Sequence, residues 1–155
     1  MLPGAAAAIR ALAAAGYPSI VATNQSGIAR GVISVTQYHA VRHRLDELLA
    51  AEGAVLLDTF ACPHAPEITG SCGCRKPGTT LFERAAVTYN LDLSKCLFVG
   101  DRARDISPAR VFGARGALVR SGTTVDDDIA QAGAMQMPIV DSLAEAVAML
   151  LAPAS

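Results

Sequence analysis

Cys62-Pro63-His64 is followed, after a seven-residue loop, by Cys72-Gly73-Cys74-Arg75-Lys76-Pro77. Three thiols and one imidazole in the pattern C-x-H…C-x-C form a ligand set suited to Zn²⁺. Four protein ligands close the tetrahedral shell, so a zinc held there is structural and leaves no open position for chemistry. A disulfide or a group of buried thiols is the competing reading, and the ligand mix disfavours it. Arg75 and Lys76 come directly after the last ligand. The metal would therefore hold a guanidinium and an ammonium beside a rigid clip, an arrangement suited to an anion.

Two other segments concentrate polar groups. Thr23-Asn24-Gln25-Ser26-Gly27-Ile28-Ala29-Arg30-Gly31 offers a hydroxyl, two amides and glycines that expose backbone N–H groups, which can cradle a phosphate or a sugar. Asn, Ser and Gly are also ordinary turn residues, so this loop alone decides nothing. Gly100-Asp101-Arg102-Ala103-Arg104-Asp105 carries two carboxylates four residues apart, which can hold Mg²⁺ or its bound water. The plain alternative for Asp105 is a helix cap.

The elements that must position these loops alternate. A helix is expected over Ala5 to Ala15, ended by Gly16, then a short buried strand over Ser19 to Thr23. Ser34 with Gln37 predicts a capping box opening a helix to about Ala51. A strand from Leu56 to Ala61 enters the cysteine loop, and Thr80 with Glu83 caps a helix to about Tyr89. An apolar strand over Cys96 to Val99 precedes a helix over about Ile106 to Phe112, which stops at Gly113. Short strands follow near Ala117-Leu118-Val119 and Pro138-Ile139-Val140, and Ser142 with Glu145 caps the last helix. Apolar strands alternating with capped helices predict an α/β fold, a Rossmann-like parallel sheet covered on both faces. Ligands of such a sheet gather where the strands end, and all three polar loops follow strands.

The chain has 155 residues, enough for one domain with its own core. A net charge of −1 and a pI near 6.3 give no reason to expect nucleic acid or an anionic membrane as partner. Metal-type cysteine clustering points to a reducing, cytoplasmic compartment. The opening Ala-rich run lacks a preceding Lys or Arg and is broken by Arg10, so it reads as an amphipathic helix, not a signal peptide. No apolar run reaches membrane-spanning length. Cys96 reads as a buried core thiol. His39 and His43, spaced i, i+4, read as a solvated or interfacial helix face, and Asp126-Asp127-Asp128 as a solvated loop or helix start.

Taken together, the NQSGIARG, CPH…CGCRKP and VGDRARD segments resemble the haloacid dehalogenase (HAD) superfamily, in its zinc-containing branch of heptose bisphosphate phosphatases and histidinol-phosphatases. The resemblance covers nearly the whole chain. It implies a structural zinc on Cys62, His64, Cys72 and Cys74, and Mg²⁺ on Asp101. It implies that Thr23 binds the transferring phosphoryl group and that Asn24, Gln25 and Ser26 contact substrate. Arg75 would recognise a second phosphate or the sugar, Lys76 would stabilise the phosphoryl and nucleophile charges, and Arg102 falls at a basic substrate contact. The implied activity is Mg²⁺-dependent hydrolysis of a small phosphorylated sugar, first of all the 7-phosphate of a heptose bisphosphate. Histidinol-phosphatase activity and non-catalytic phosphate binding are the alternatives. The oligomeric state is left open, with a monomer expected.

In one respect the chain departs from that family. Its members begin with a strand ending in D-x-D-G, whose first Asp attacks phosphorus and whose second acts as general acid and then base. No Asp or Glu precedes Asp46 here. Thr23 and Ser26 cannot replace an activated carboxylate without a base beside them, and Asp58 has no D-x-D partner. The expectation is therefore a single HAD-like domain over residues 1–155 that starts after the first central strand. A late start codon or a fragment would account for that, with Met1 internal to a longer protein. Turnover by the chain alone is not expected, and its strands at Ile20 and Leu97 would lack their shared neighbour.

Overall fold

The computed structural model describes residues 3–152. They fall into two compact units, divided between Ala85 and Ala86.

The first unit contains α1 (Ala5–Ala14), β1 (Ile20–Asn24), α2 (Val35–Ala51), β2 (Asp58–Cys62), the short α3 (Pro66–Thr69) and most of α4 (Thr80–Tyr89). Small side chains let α1 pack closely through Ala6, Ala8 and Ile9. The helix stops where Gly16 takes a left-handed φ of 82° and its N–H bonds back to Ala13, as expected of a C-terminal glycine. The Ser34–Gln37 capping box is fully formed at the start of α2. His39 and His43 lie exposed on that helix, with His43 beside Glu47. Strands β1 and β2 pair in parallel, from Ile20↔Asp58 to Asn24↔Cys62. The strand expected to be buried has all five of its residues half-buried, since among the described residues β2 is the one strand paired with it. β2 buries Phe60, with the Arg84 guanidinium 5.7 Å from the ring centroid. Thr80 is the first residue of α4 and does not cap it; Thr79 instead donates to Glu83 at 2.7 Å.

The second unit contains a three-stranded parallel sheet in the order β3 (Leu97–Gly100), β4 (Arg115–Val119), β5 (Ile139–Val140). Its helices are α5 (Ala103–Ile106), α6 (Pro108–Val111), α7 (Asp126–Ala134) and α8 (Leu143–Leu151). The alternation of side chains along β4 divides its core. Ala117 and Val119 pack with Val140 and Ala146 of α8, while Leu118 packs with Ile106 of α5 and Ala132 of α7. This sheet therefore carries helices on both faces. Burying Leu118 and Ile106, both 0% exposed, contributes about 1.5–3 kcal/mol each. The helix expected over Ile106 to Phe112 begins earlier, at Ala103, and is broken in two at Ser107 because Pro108 has no N–H to continue it. It ends at Gly113, φ 63°, as expected. Cys96 is half-buried just before β3 and donates to the Asp92 carbonyl, so it is not a core thiol.

Candidate phosphate and metal site

The four expected metal ligands meet in the first unit. Cys62 ends β2, His64 follows it, and Cys72 and Cys74 lie on the loop before α4. Their ligand atoms all lie within 4.8 Å of one another. Cys62 Sγ is 3.7 Å from both His64 Nδ1 and Cys72 Sγ, and Cys74 Sγ is 3.0–3.4 Å from its neighbours. A tetrahedron around zinc has edges of about 3.5–3.8 Å, so the quartet needs to open by less than about 1 Å. The three thiols are free, so the disulfide reading is excluded. Their proton demands differ. Desolvation works to raise the Cys72 thiol, but hydrogen bonds from Cys74, the Arg75 backbone, Cys62 and His64 outweigh it and bring it down to about 7. Desolvation and the neighbouring thiols push Cys74 up to about 12. A bound cation would have to displace the thiol protons of its ligands.

The same cluster fixes the loop after β1. Gln25 N–H donates to the carbonyl of Cys62 at 2.7 Å, and Ala29 N–H to that of Pro63 at 3.3 Å. Arg75 Nη1 donates to the His64 carbonyl at 3.4 Å. Lys76 N–H donates to Asn24 Oδ1 at 2.9 Å, and Asn24 Nδ2 returns a bond to the Lys76 carbonyl at 3.2 Å. Lys76 Nζ lies 2.5 Å from the Ala22 carbonyl, back along β1. Gln25 Nε2 donates to Thr23 Oγ1 at 3.0 Å. The structure therefore brings together Thr23, Asn24, Gln25, Ser26, Arg75 and Lys76 at the C-terminal end of the β1–β2 pair. Each end of the Asn24 amide makes one bond to the Lys76 backbone, so Asn24 orients that segment and keeps one N–H and one lone pair besides. The turn after Lys76 is tight: a Cβ on Gly78 would lie 2.2 Å from the Gly73 carbonyl oxygen. Asp58 pairs with Ile20, three residues before Thr23 and about 10 Å further back along the strand. It is held there by the Thr59 N–H and faces Arg42 at 3.8 Å.

In the second unit Asp101 follows β3. Its Oδ2 accepts from Ser121 Oγ at 2.8 Å and from Thr123 Oγ1, while Thr124 Oγ1 donates to its carbonyl at 2.9 Å. Partial burial alone would raise this carboxyl; the Thr123 and Ser121 hydroxyls, its own N–H and the Arg102 charge outweigh burial and hold it below the ordinary carboxylate value. An ionised, oriented carboxylate is what a hard divalent cation requires. Asp105 instead accepts from Arg102 N–H at 3.2 Å and serves the start of α5, the plain alternative. Arg102 pairs with Asp128 at 3.0 Å and donates to the Thr123 carbonyl at 2.7 Å. Its guanidinium thus braces the loop.

Sequence reasoning passed over several residues that matter. Asp128 is 6% exposed, bonds the N–H groups of Ala103 and Val125, and turns the Asp126-Asp127-Asp128 run into the start of α7. Ser121, Thr123 and Thr124 were signalled by a fourth polar loop, after β4. Arg30 and Glu67 form an ion pair at 2.6 Å. An open cleft of about 380 Å³ lies at the opposite, N-terminal end of β3 and β4, lined by Leu97, Arg115, Met135, Met137, Met149 and Leu150. It contains none of these groups.

The two units share a parallel α/β architecture, and the first carries a basic pair directly after a quartet that could hold a metal ion. Residues 73–146 match the family model described as HAD-hydrolase-like. The D-glycero-D-manno-heptose-1,7-bisphosphate 7-phosphatase of Thermosynechococcus vestitus is 43% identical over 131 residues, 79% of this chain and 67% of the relative. The D-glycero-beta-D-manno-heptose-1,7-bisphosphate 7-phosphatase of Pseudomonas aeruginosa is 39% identical, over 80% of this chain and 68% of its own length. The crystal structure of the D,D-heptose 1,7-bisphosphate phosphatase of B. bronchiseptica, complexed with magnesium and phosphate, superposes with a TM-score of 0.86 at 34% identity, covering 97% of this chain and 83% of that one. The chain belongs to the HAD-like hydrolases, among the relatives of the heptose bisphosphate phosphatases.

Proposed function

We propose that this chain recognises a heptose 1,7-bisphosphate as the substrate-binding part of a phosphatase that removes the 7-phosphate. The observation that carries the reading is the reciprocal Asn24–Lys76 bond, which ties the backbone of the basic pair, directly after the cysteine–histidine quartet, to the end of β1 that carries Thr23. Lys76 supplies a point charge and Arg75 a fork suited to phosphate oxygens. Thr23 accepts from Gln25, which leaves its own O–H to donate to a phosphoryl oxygen. Cys62, His64, Cys72 and Cys74 would hold a structural Zn²⁺. Asp101 would hold Mg²⁺, which when bound neutralises charge on a transferring phosphoryl group. No Asp or Glu lies among residues 1–45, and this chain is the binding part of that phosphatase. Free metal-site thiols fit a reducing compartment such as the cytoplasm, and no helix among the described residues is long and apolar enough to cross a membrane. We take the chain to act as a monomer.

Calorimetric titration tests this reading. Heptose 1,7-bisphosphate should bind more tightly than histidinol phosphate, with both weakened by Lys76→Ala. A preference for histidinol phosphate would transfer the site to the related amino-alcohol phosphatases, and no binding of either would remove the substrate reading.

A further inference from the structure

Ser26 and Arg30 sit one helical turn apart on the loop after β1, and the Arg30 N–H bonds to the Ser26 carbonyl at 3.1 Å. Arg30 Nη1 also donates to Ser26 Oγ at 3.0 Å. The remaining face of the guanidinium is taken by Glu67 of α3, whose Oε1 lies 2.7 Å from Nε and 2.6 Å from Nη2. Glu67 belongs to the segment between the two halves of the metal quartet, so this fork ties the β1 loop to the cysteine loop. The two side chains are 46% and 53% exposed. An ion pair so open to water contributes little to stability. Its consequence is geometric instead. A serine hydroxyl has one proton to donate and lone pairs to accept with. Because Arg30 donates into Ser26 Oγ, the hydroxyl proton is turned away from the guanidinium, and among the described residues it has no acceptor.

We infer that Arg30 is a positioning residue for the sugar: held by Glu67, it fixes Ser26 so that Ser26 donates its O–H to an oxygen of the substrate's sugar. This rests on the substrate reading above and names the element that would separate a sugar phosphate from phosphate alone. Lysine cannot stand in for Arg30, since one ammonium on a flexible stem lacks the planar fork that reaches Ser26 and Glu67 together.

The test is equilibrium binding of heptose 1,7-bisphosphate and of inorganic phosphate to the full 155-residue chain and to Arg30→Ala, Arg30→Lys, Ser26→Ala and Arg30→Ala/Ser26→Ala, with zinc content and thermal midpoint recorded for each. Arg30→Ala should weaken the bisphosphate by about three- to tenfold, as expected for one hydrogen bond to a neutral sugar oxygen, and change inorganic phosphate less than about twofold. Arg30→Lys should lose nearly as much as alanine. In the Ser26→Ala background Arg30→Ala should add nothing, because the arginine acts through that hydroxyl. Equal losses for both ligands, full retention by Arg30→Lys, or additive effects of the two substitutions would each overturn the assignment. A wild-type chain that binds neither ligand overturns the substrate reading itself and the inference with it. Arg30→Lys, which keeps the charge and the stem, serves if the alanine variant fails to fold.

Discussion

Asn24 and Lys76 are bound to each other in both directions, Lys76 N–H to Asn24 Oδ1 at 2.9 Å and Asn24 Nδ2 to the Lys76 carbonyl at 3.2 Å. One side chain here imitates a strand, giving the lysine backbone the pair of bonds it would find in a ladder. The loop carrying Arg75 and Lys76 is thereby anchored to the end of β1, 52 residues away in sequence.

Asn24→Asp keeps the acceptor and turns the donor into a second acceptor facing a carbonyl. Removing a half-buried donor and opposing two acceptors should cost about 1–3 kcal/mol. The thermal midpoint should fall, and phosphate affinity should fall with it, because Lys76 loses its fixed backbone. A normal midpoint with unchanged phosphate affinity would show that the loop is held by other contacts.

Purified chain should carry about one zinc per molecule by metal analysis, since four protein ligands converge on one point. Cys72→Ser should lose that metal and lower thermal stability, because binding energy at such a site contributes to folding. Chelation of the wild type should produce the same shift. Zinc-free protein after gentle purification, with all thiols reduced, would contradict the assignment of the quartet.

The C-x-H…C-x-C spacing was legible because ligand identity and separation carry the chemistry directly. Strand positions were legible too, from short apolar runs bounded by capping residues such as Ser34 and Ser142. What the sequence hid depends on which partner a polar side chain finds in space. Nothing local in the sequence shows that the Asn24 amide bonds the Lys76 backbone. Nor does it show that Arg102 pairs with Asp128, 26 residues on. Pro108 was a readable break in the helix after β3, and only its position inside an otherwise helical pattern obscured it.

Gly100 is tested by size alone. A Cβ there would lie 2.3 Å from the Asp105 Cβ and 2.8 Å from its Oδ2, in the turn that presents Asp101. Gly100→Ala should destabilise the fold by about 1–3 kcal/mol, the usual cost of overpacking. Gly122→Ala is the control, since a Cβ at Gly122 meets nothing within 4 Å. Denaturant unfolding midpoints should separate the two, and equal midpoints would show that the Asp105 side chain moves freely aside.

The Arg30–Glu67 pair also makes a pH statement. The Glu67 carboxyl is held below its ordinary 4.5 by its own backbone N–H and by Arg30. A lowered folded-state value means that the carboxylate's contribution is complete above the ordinary value and is lost only as pH falls through the lowered one. The effect of Arg30→Ala on bisphosphate binding should therefore be constant from about pH 5.5 to 8. An effect that changes across that window would place another titrating group in the clamp.

The activity prediction is the most demanding. The 155-residue chain should show no Mg²⁺-dependent hydrolysis of heptose 1,7-bisphosphate above a Lys76→Ala control. Charge neutralisation alone does not suffice, because this family reaches its intermediate through carboxylate attack, and no Asp or Glu precedes Asp46. Asp58 does not substitute, because it stands at the far end of β2 from Thr23. Mg²⁺ affinity should be low for the same reason, since few carboxylates hold this ion and each one matters. A strand ending in D-x-D-G, supplied on the same polypeptide, should bring turnover and greater solubility together. Turnover by the 155 residues alone, abolished by Ser26→Ala or Asp58→Asn, would mean that a different nucleophile operates and that the roles assigned to the β1 loop are wrong.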